Sequence, residues 1–599
     1  MQAIILAAGM GKRLKELTKN NTKCMVKVNG VSLIERMLRQ LENKHLSKIV
    51  IVVGYEGQKL IDFIGTLNIK TPIVYVDNQI YDRTNNIYSL FLAKEYLRQE
   101  DTLLFESDLI FEDSVIDILL EDPRETLALV DKYESWMDGT CVKLSDDDSI
   151  EAFVPGKNFK FNEIKEYYKT VNIYKFSKHF SETHYIPFLE AYSSALGNNE
   201  YYEQVLRVIT MLDDPGIKGK KLNGQLWYEI DDIQDLDIAT SMFTPDSDER
   251  VSLLQSRYGG YWRYPKLLDF CYLVNPYFPP QKLIDEIKAN FEKLLTQYPS
   301  GMRVNALLAA KNFSVREENI CVGNGAAELI KSLMERTSGK LGLVKPTFEE
   351  YPNRFTNVEV FNPKNNSYSY CVDDLIYYFA DKNIKNLLLI NPDNPSGNYI
   401  NKKDLLKLIS WTKENSIKLI IDESFVDFAE EENNSLIDQN IISENKHLYI
   451  IKSISKSYGV PGLRLGILVS GDVKSISLIK RDVSIWNINS FAEFYMQIEE
   501  KYKSSYIDGL SKFKAERNRV MKELNNIQGI KVIPSQANYF MVQITDKFTA
   551  KDLTKVLLIK YNILIKDLTS KVSSEFVRIA VRNKVENDKL ITALREEFK

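Results

Sequence analysis

The chain has 599 residues, too many for one ordinary core, and division by a typical domain size gives about two to four domains. Its content of 44% hydrophobic, 27% charged and 11% aromatic residues excludes a mainly disordered or collagen-like protein. With 78 basic against 82 acidic residues the net charge is −4, so no overall basic surface argues for nucleic acid or an anionic membrane as partner. Five scattered cysteines without a Cys-x-x-Cys pair, and only four histidines, argue against a disulfide framework, a zinc site or serine-hydrolase chemistry. The apolar start lacks a basic leader, and the longest aliphatic run, Ile49–Val53, is strand-sized. These features predict a cytoplasmic protein with no membrane span.

The first predicted strand, Ala3–Ala8, runs into Gly9-Met10-Gly11-Lys12-Arg13. An amphipathic helix follows over Ser32–Asn43, then strands at Lys48–Gly54, Pro72–Asp77 and Thr102–Glu106. Short apolar runs alternating with helix-length segments predict a parallel sheet covered on both faces. The polar stretch Thr244–Arg250, with Pro245, reads as a boundary. A second alternation follows, with strands at Asn319–Val322, Leu341–Val344, Asn386–Ile390, Leu419–Ile421 and Leu448–Ile451. The expectation is two α/β domains, residues 1–242 and 261–599, joined by a linker over 243–260.

In the first half, two glycines directly after a strand let backbone N–H groups approach a phosphate, and Arg13 and Lys23 add cations. The stretch Leu6-Ala7-Ala8-Gly9-Met10-Gly11-Lys12-Arg13-Leu14, with Thr18, Lys23 and Val28–Glu35, resembles the sugar-nucleotide and choline-phosphate nucleotidyltransferases. Thr22 replaces the family's proline before the lysine. The resemblance implies a Rossmann-like domain in which Leu6, Ala8, Gly9 and Gly11 hold the nucleotide. It also implies that Arg13 and Lys23 neutralise the reacting phosphates, with Lys23 the catalytic lysine. Phosphoryl-type transfer relies on positioning and charge neutralisation, usually with Mg²⁺ held by carboxylates. By the same resemblance the metal ligands are Asp108, in Phe105-Glu106-Ser107-Asp108, and Asp231, in Glu229-Ile230-Asp231. Asn85 and Ser89 are further nucleoside or acceptor contacts. Segments around 131–140, 169–174 and 201–203 resemble members that activate small phospho-amines. There Lys132 can meet a phosphate or phosphonate, and Asp138 or Glu203 a primary ammonium. A quaternary ammonium would instead need an aromatic cage, from Tyr133, Trp136 and Tyr202.

In the second half, Ser453-Ile454-Ser455-Lys456-Ser457-Tyr458-Gly459-Val460-Pro461-Gly462-Leu463-Arg464 offers a lysine for a Schiff base with a pyridoxal aldehyde, and hydroxyls and an arginine for its phosphate. The segment resembles the fold-type I aminotransferases of classes I and II. That resemblance implies pyridoxal 5′-phosphate on Lys456, with Ser453, Ser455, Arg464 and the helix start Gly325-Ala326-Ala327 at its phosphate. It places Phe348 on the ring, Asn394 at the 3′-oxygen and Asp422 at the pyridine nitrogen. Arg578 receives a substrate carboxylate, and Tyr298 reaches the neighbouring subunit's cofactor, implying a homodimer. Phe425 stands where a tyrosine is usual; with Asp422-Glu423-Ser424 it resembles the histidinol-phosphate aminotransferase and threonine-phosphate decarboxylase branch. Together the halves resemble fused enzymes of phosphonate synthesis. Such a fusion implies that phosphonoacetaldehyde and an amino-acid donor give 2-aminoethylphosphonate, which CTP then activates. The alternative is a phosphate-ester cytidylyltransferase fused to a decarboxylase-like or histidinol-phosphate-aminotransferase-like enzyme.

Overall fold

A computed structural model describes all residues, 1–599. The chain divides into two compact units, Met1–Pro265 and Lys266–Lys599.

The first unit is built on a nine-stranded sheet. Its centre is Gln2–Ala7, fully buried and paired in parallel with Ile49–Val53 on one side and Thr102–Glu106 on the other. Ile73–Asp77 continues the parallel part. Beyond Thr102–Glu106 the sheet changes character, because Tyr167–Phe176 joins it antiparallel and carries Leu127–Lys132 and Cys141–Leu144. The expected parallel sheet therefore holds only for its first four strands; the rest is a mixed extension built from hairpins. Ser32 caps the helix Leu33–Glu42 by accepting from the Glu35 N–H at 3.3 Å, close to the predicted limits. Aliphatic side chains of both sheet faces form two buried clusters, one around Ile5, Ile51 and Phe105, the other around Ile4, Val50 and Leu104. The stretch expected as a linker is structured: Ser247–Ser256 is a helix belonging to the first unit, capped by Asp246.

The second unit has a seven-stranded sheet in the order Ile320–Asn324, Leu465–Ser470, Leu448–Ser453, Lys418–Asp422, Asn386–Ile390, Leu341–Val344 and Val358–Phe361. Only Leu465–Ser470 runs against its neighbours. The register Asn324↔Leu465, Ser453↔Gly466, Asp422↔Ile451 and Ile390↔Asp422 therefore brings the ends of four strands to one edge. Open α/β sheets bind ligands at that edge. A smaller four-stranded sheet, with Phe576–Ala580 beside Tyr539–Ile544, closes the unit.

Candidate functional site

In the first unit a cleft of about 530 Å³ opens at the end of the central strand. It is lined by Leu6, Ala8, Gly9, Gly11, Arg13 and Lys23, by Asn85 and Ser89, by Asp108 and Asp231, and by Asp138 and Glu203. Gly11 sits at φ 61°, and a Cβ there would meet the Lys23 Cβ at 3.0 Å, so the glycine turn can lie against the lysine only without a side chain. Thr22, the departure from the family pattern, is buried with its hydroxyl 3.1 Å from the Cys24 sulfur.

Lys23 is the charge centre. Its Nζ donates to Asp108 Oδ2 at 2.5 Å and Asp231 Oδ1 at 2.7 Å, while Arg13 Nη2 reaches Asp231 Oδ1 at 2.9 Å. Burial alone would lower the Lys23 pKa; the two carboxylates outweigh it and hold the ammonium above its usual range. Asp108, Glu229 and Asp231 each bring a carboxylate oxygen within 4.8 Å of the others, a donor set suited to a hard divalent cation. Asp108 Oδ1 is buried without a hydrogen-bond partner, an acceptor that a metal would satisfy, so the residues fit the implied Mg²⁺.

Sequence reasoning missed Glu229. It lies two residues before Asp231 in the same segment, and its strand Trp227–Glu229 pairs with Leu109–Phe111, setting Glu229 opposite Leu109 and beside Asp108. An acid two positions before Asp231 was the available signal, since such residues share one side of an extended chain. Burial first, then neighbouring acids, push Glu229 up to about 7 against the pull of Lys169. Lys169, also missed, is buried, with Nζ 3.3 Å from Glu229 Oε2 and donating to the Thr170 carbonyl at 2.7 Å. Glu203 is 5% exposed, with Oε2 unpartnered, and burial raises its pKa.

Two expected acceptor contacts lie elsewhere. Lys132 is exposed, donates to the Lys165 carbonyl at 2.5 Å and sits 4.2 Å from the centre of the Tyr168 ring. Its neighbour Asp131 accepts from Trp227 Nε1 at 2.8 Å, so strand alternation sends Lys132 to the opposite face. Trp136 is stacked on Tyr228, with centroids 4.2 Å apart, and does not line the cleft. Tyr133 packs on Phe159, and Tyr202 is buried in the core edge-on to Tyr174. The possible aromatic cage is therefore not assembled; Tyr81 and Tyr201 are the aromatic residues of the cleft.

In the second unit the strand ends bring the predicted cofactor residues together. Asp422 Oδ2 accepts from the Tyr351 hydroxyl at 2.9 Å, and Oδ1 accepts from the Ser424 N–H at 2.9 Å. Tyr351, three residues beyond Phe348 in a turn, went unforeseen, since spacing was its only signal. Burial pushes the Asp422 carboxyl up, a cost that a pyridinium cation beside it would offset. Asn394 Oδ1 accepts from Arg578 Nη1 at 2.9 Å, and Arg578 Nε is buried without a partner. Gly325 precedes the helix Ala326–Glu335 at φ 74°; a Cβ there would stand 2.7 Å from Arg464 Nη2, so glycine admits the guanidinium to the helix start. Together with the unpartnered, buried Ser455 hydroxyl, this cradle fits a phosphate. Burial, then Arg578 and Arg464, bring Lys456 down from 10.5 to about 8, toward the unprotonated amine an aldehyde requires. Phe348 is 40% exposed, edge-on to Tyr351, and Tyr298 is 79% exposed, stacked on Trp486 at 4.4 Å.

Residues 268–594 match the family model "Aminotransferase class I and II", and the chain belongs to that family. Its fold implies pyridoxal phosphate as cofactor. Residues 3–138 match the "MobA-like NTP transferase domain", so the protein is an enzyme joining a nucleotidyltransferase domain to an aminotransferase-family domain. Over its whole length the chain is similar, at 28% identity and over 95% of the relative, to the CMP-5′-(3-aminopropyl)phosphonate synthase of Streptomyces rubellomurinus. A second relative, the L-serine phosphate decarboxylase of Sulfurospirillum multivorans, is 32% identical over 55% of this chain and 88% of its own. Among solved structures, the histidinol-phosphate aminotransferase of Clostridium acetobutylicum superposes with a TM-score of 0.50 at 26% identity, covering 55% of this chain and 99% of that one. No helix is long and apolar enough to cross a membrane.

Proposed function

We propose that the chain makes and activates one small phosphonate: the second unit transaminates phosphonoacetaldehyde to 2-aminoethylphosphonate, and the first transfers CMP to it from CTP, releasing pyrophosphate. The observation that carries this reading is the composition of the first cleft. It sets Gly9, Gly11, Arg13 and Lys23 in one lining with Glu203, a buried acid with a free oxygen, and Asp138, with none of the three cage aromatics. Such a lining suits a phosphonate that ends in a primary ammonium. The full-length similarity to a synthase of a CMP-aminoalkylphosphonate supports the same product class. Cytosine as the base, and a homodimer through the second unit, belong to this proposal.

In the first unit, a phosphonate oxygen attacks the α-phosphorus of CTP and the bond to pyrophosphate breaks. Lys23 and Arg13 stabilise the charge that develops there. Asp108, Glu229 and Asp231 would hold Mg²⁺, which would supply positive charge against the reacting phosphates. In the second unit, pyridoxal phosphate supplies the electron sink. Arg578 holds the carboxylate of the amino-acid donor, Asp422 keeps a positive charge at the ring nitrogen, and Lys456 Nζ takes the α-proton and returns it.

A second reading has a specific observation behind it: similarity to the L-serine phosphate decarboxylases covers nearly all of their length. In that case the second unit removes CO₂ from a phosphorylated or phosphonate amino acid to give the same kind of amine. One assay set decides. Pyrophosphate release is measured from CTP with 2-aminoethylphosphonate, phosphoethanolamine and phosphocholine, and the second unit is scored for 2-oxo acid and for CO₂. The proposal expects 2-aminoethylphosphonate to be preferred and amine transfer without CO₂. A wide preference for either phosphate ester, or CO₂ from a phospho-amino acid, overturns the corresponding half.

A further inference from the structure

The turn that carries Asp231 is held from a distance. The N–H groups of Asp231 and Asp232 both donate to Asp235 Oδ2 at 3.1 Å, and the Asp235 N–H donates back to Asp232 Oδ1 at 3.0 Å, a capping box at the start of helix Ile233–Phe243. The other oxygen of Asp235 accepts from Arg263 Nη2 at 2.8 Å. The same nitrogen lies 2.5 Å from the Tyr228 hydroxyl, on the strand leading into Asp231. Tyr228 in turn stacks on Trp136, whose ring centre is 5.8 Å from the Arg263 guanidinium. Arg263 and Asp235 are only 15% and 13% exposed.

Arg263 belongs to the last stretch of the first unit, just before the chain passes into the second. It reaches Asp235 because Gly259 and Gly260, at φ 145° and 72°, let the chain reverse there, and because the Tyr264 hydroxyl meets Ser241 Oγ at 2.6 Å. A capping box satisfies a helix start without an arginine. Here a mostly buried guanidinium instead fixes the carboxylate whose other oxygen fixes the backbone of Asp231.

We propose that Arg263 and Asp235 are positioning residues for the divalent cation of the first unit: Arg263 anchors Asp235, and Asp235 sets the direction in which the Asp231 carboxylate meets Asp108 and Glu229. This rests on the reading of Asp231 as a metal ligand. Groups that orient a ligating side chain typically carry about ten- to a hundredfold of metal affinity.

The test is Mn²⁺ binding to the full chain, followed by electron paramagnetic resonance without nucleotide or acceptor, so that substrate identity plays no part. Arg263→Ala and Asp235→Asn are expected to weaken binding about tenfold or more. Arg263→Lys, which keeps the charge but loses the planar fork, should weaken it less. The pyridoxal absorbance and the turnover of the second unit should not change. Thermal melting shows whether each variant folds; if Arg263→Ala does not, Asp235→Asn decides. Binding within twofold of wild type for Asp235→Asn, while Asp231→Asn loses it, overturns the proposal. Loss of pyrophosphate release with Mn²⁺ binding unchanged overturns it as well. If Asp231→Asn itself binds Mn²⁺ normally, the metal reading falls and takes the proposal with it.

Discussion

Replacing Lys456 by methionine should stabilise the cofactor-free protein near neutral pH while abolishing turnover in the second unit. In the cofactor-free chain the Lys456 amine is brought from 10.5 to about 8 by burial, then by Arg578 and Arg464. At roughly 1.4 kcal/mol per pKa unit, holding that amine protonated in the folded state costs about 3 kcal/mol. Below pH 8 both the folded and the unfolded chain bind the proton, and the penalty is complete. Between 8 and 10.5 the unfolded chain binds a proton that the folded chain has released, so wild-type stability rises with pH; above 10.5 the penalty is gone. Methionine has similar length and no charge, so its advantage is largest at pH 7 and fades across the same window. The assay is thermal melting of cofactor-stripped wild type and Lys456→Met at pH 7, 8.5 and 10, where about 3 kcal/mol corresponds to a few degrees in a unit of this size. A variant that melts below wild type at pH 7, or a difference that stays constant to pH 10, would refute the reasoning.

Lys23→Ala should cut pyrophosphate release by about a hundred- to a thousandfold, as loss of one preorganised charge-stabilising donor does, and leave the second unit's turnover intact. In chelator the same variant should melt lower than with Mg²⁺ present, because Asp108, Glu229 and Asp231 then face one another without the ammonium; equal melting in both conditions would count against the shared site. Glu229→Gln should weaken Mn²⁺ binding at least about tenfold, read by the same resonance titration, although no motif marks the residue. Tyr351→Phe removes the 2.9 Å hydrogen bond to Asp422 and should loosen pyridoxal phosphate by about 1 kcal/mol, a several-fold rise in its dissociation constant by fluorescence titration.

Much of this was legible in the chain, for reasons that differ by residue. Ser32 and the amphipathic run after it announce a helix because capping and 3.6-residue periodicity are local properties. Lys23, Asp108 and Asp231 came from the resemblance of their segments to the nucleotidyltransferases, and the cleft brings the three together. Several of the failures concern direction. Lys132 and Asp131 are adjacent, yet the pleat points them to opposite faces, and only the pairing of Asp131 with Trp227 settles which. Trp136 had the right chemistry for a cation, but its nearest flat partner is Tyr228. The expected parallel sheet extends too far because Leu127–Lys132 and Tyr167–Phe176 are largely buried like the parallel strands, and hydropathy does not carry polarity of pairing. The polar stretch Thr244–Arg250, with Pro245, reads as a linker, yet Asp246 within it caps the helix Ser247–Ser256.

Chain order gives the two centres different histories during synthesis. Every residue of the nucleotide cleft, and the arginine that braces its metal turn, has been made once Pro265 is added. The pyridoxal centre draws Arg578 from the strand Phe576–Ala580, which pairs with Tyr539–Ile544. At about 5–20 residues per second, roughly 15 to 60 seconds separate the two events on the ribosome. For that interval a nascent chain holds one complete reaction centre and only fragments of the other. Any product of interrupted translation inherits the same asymmetry, with a whole nucleotide cleft and no complete pyridoxal centre.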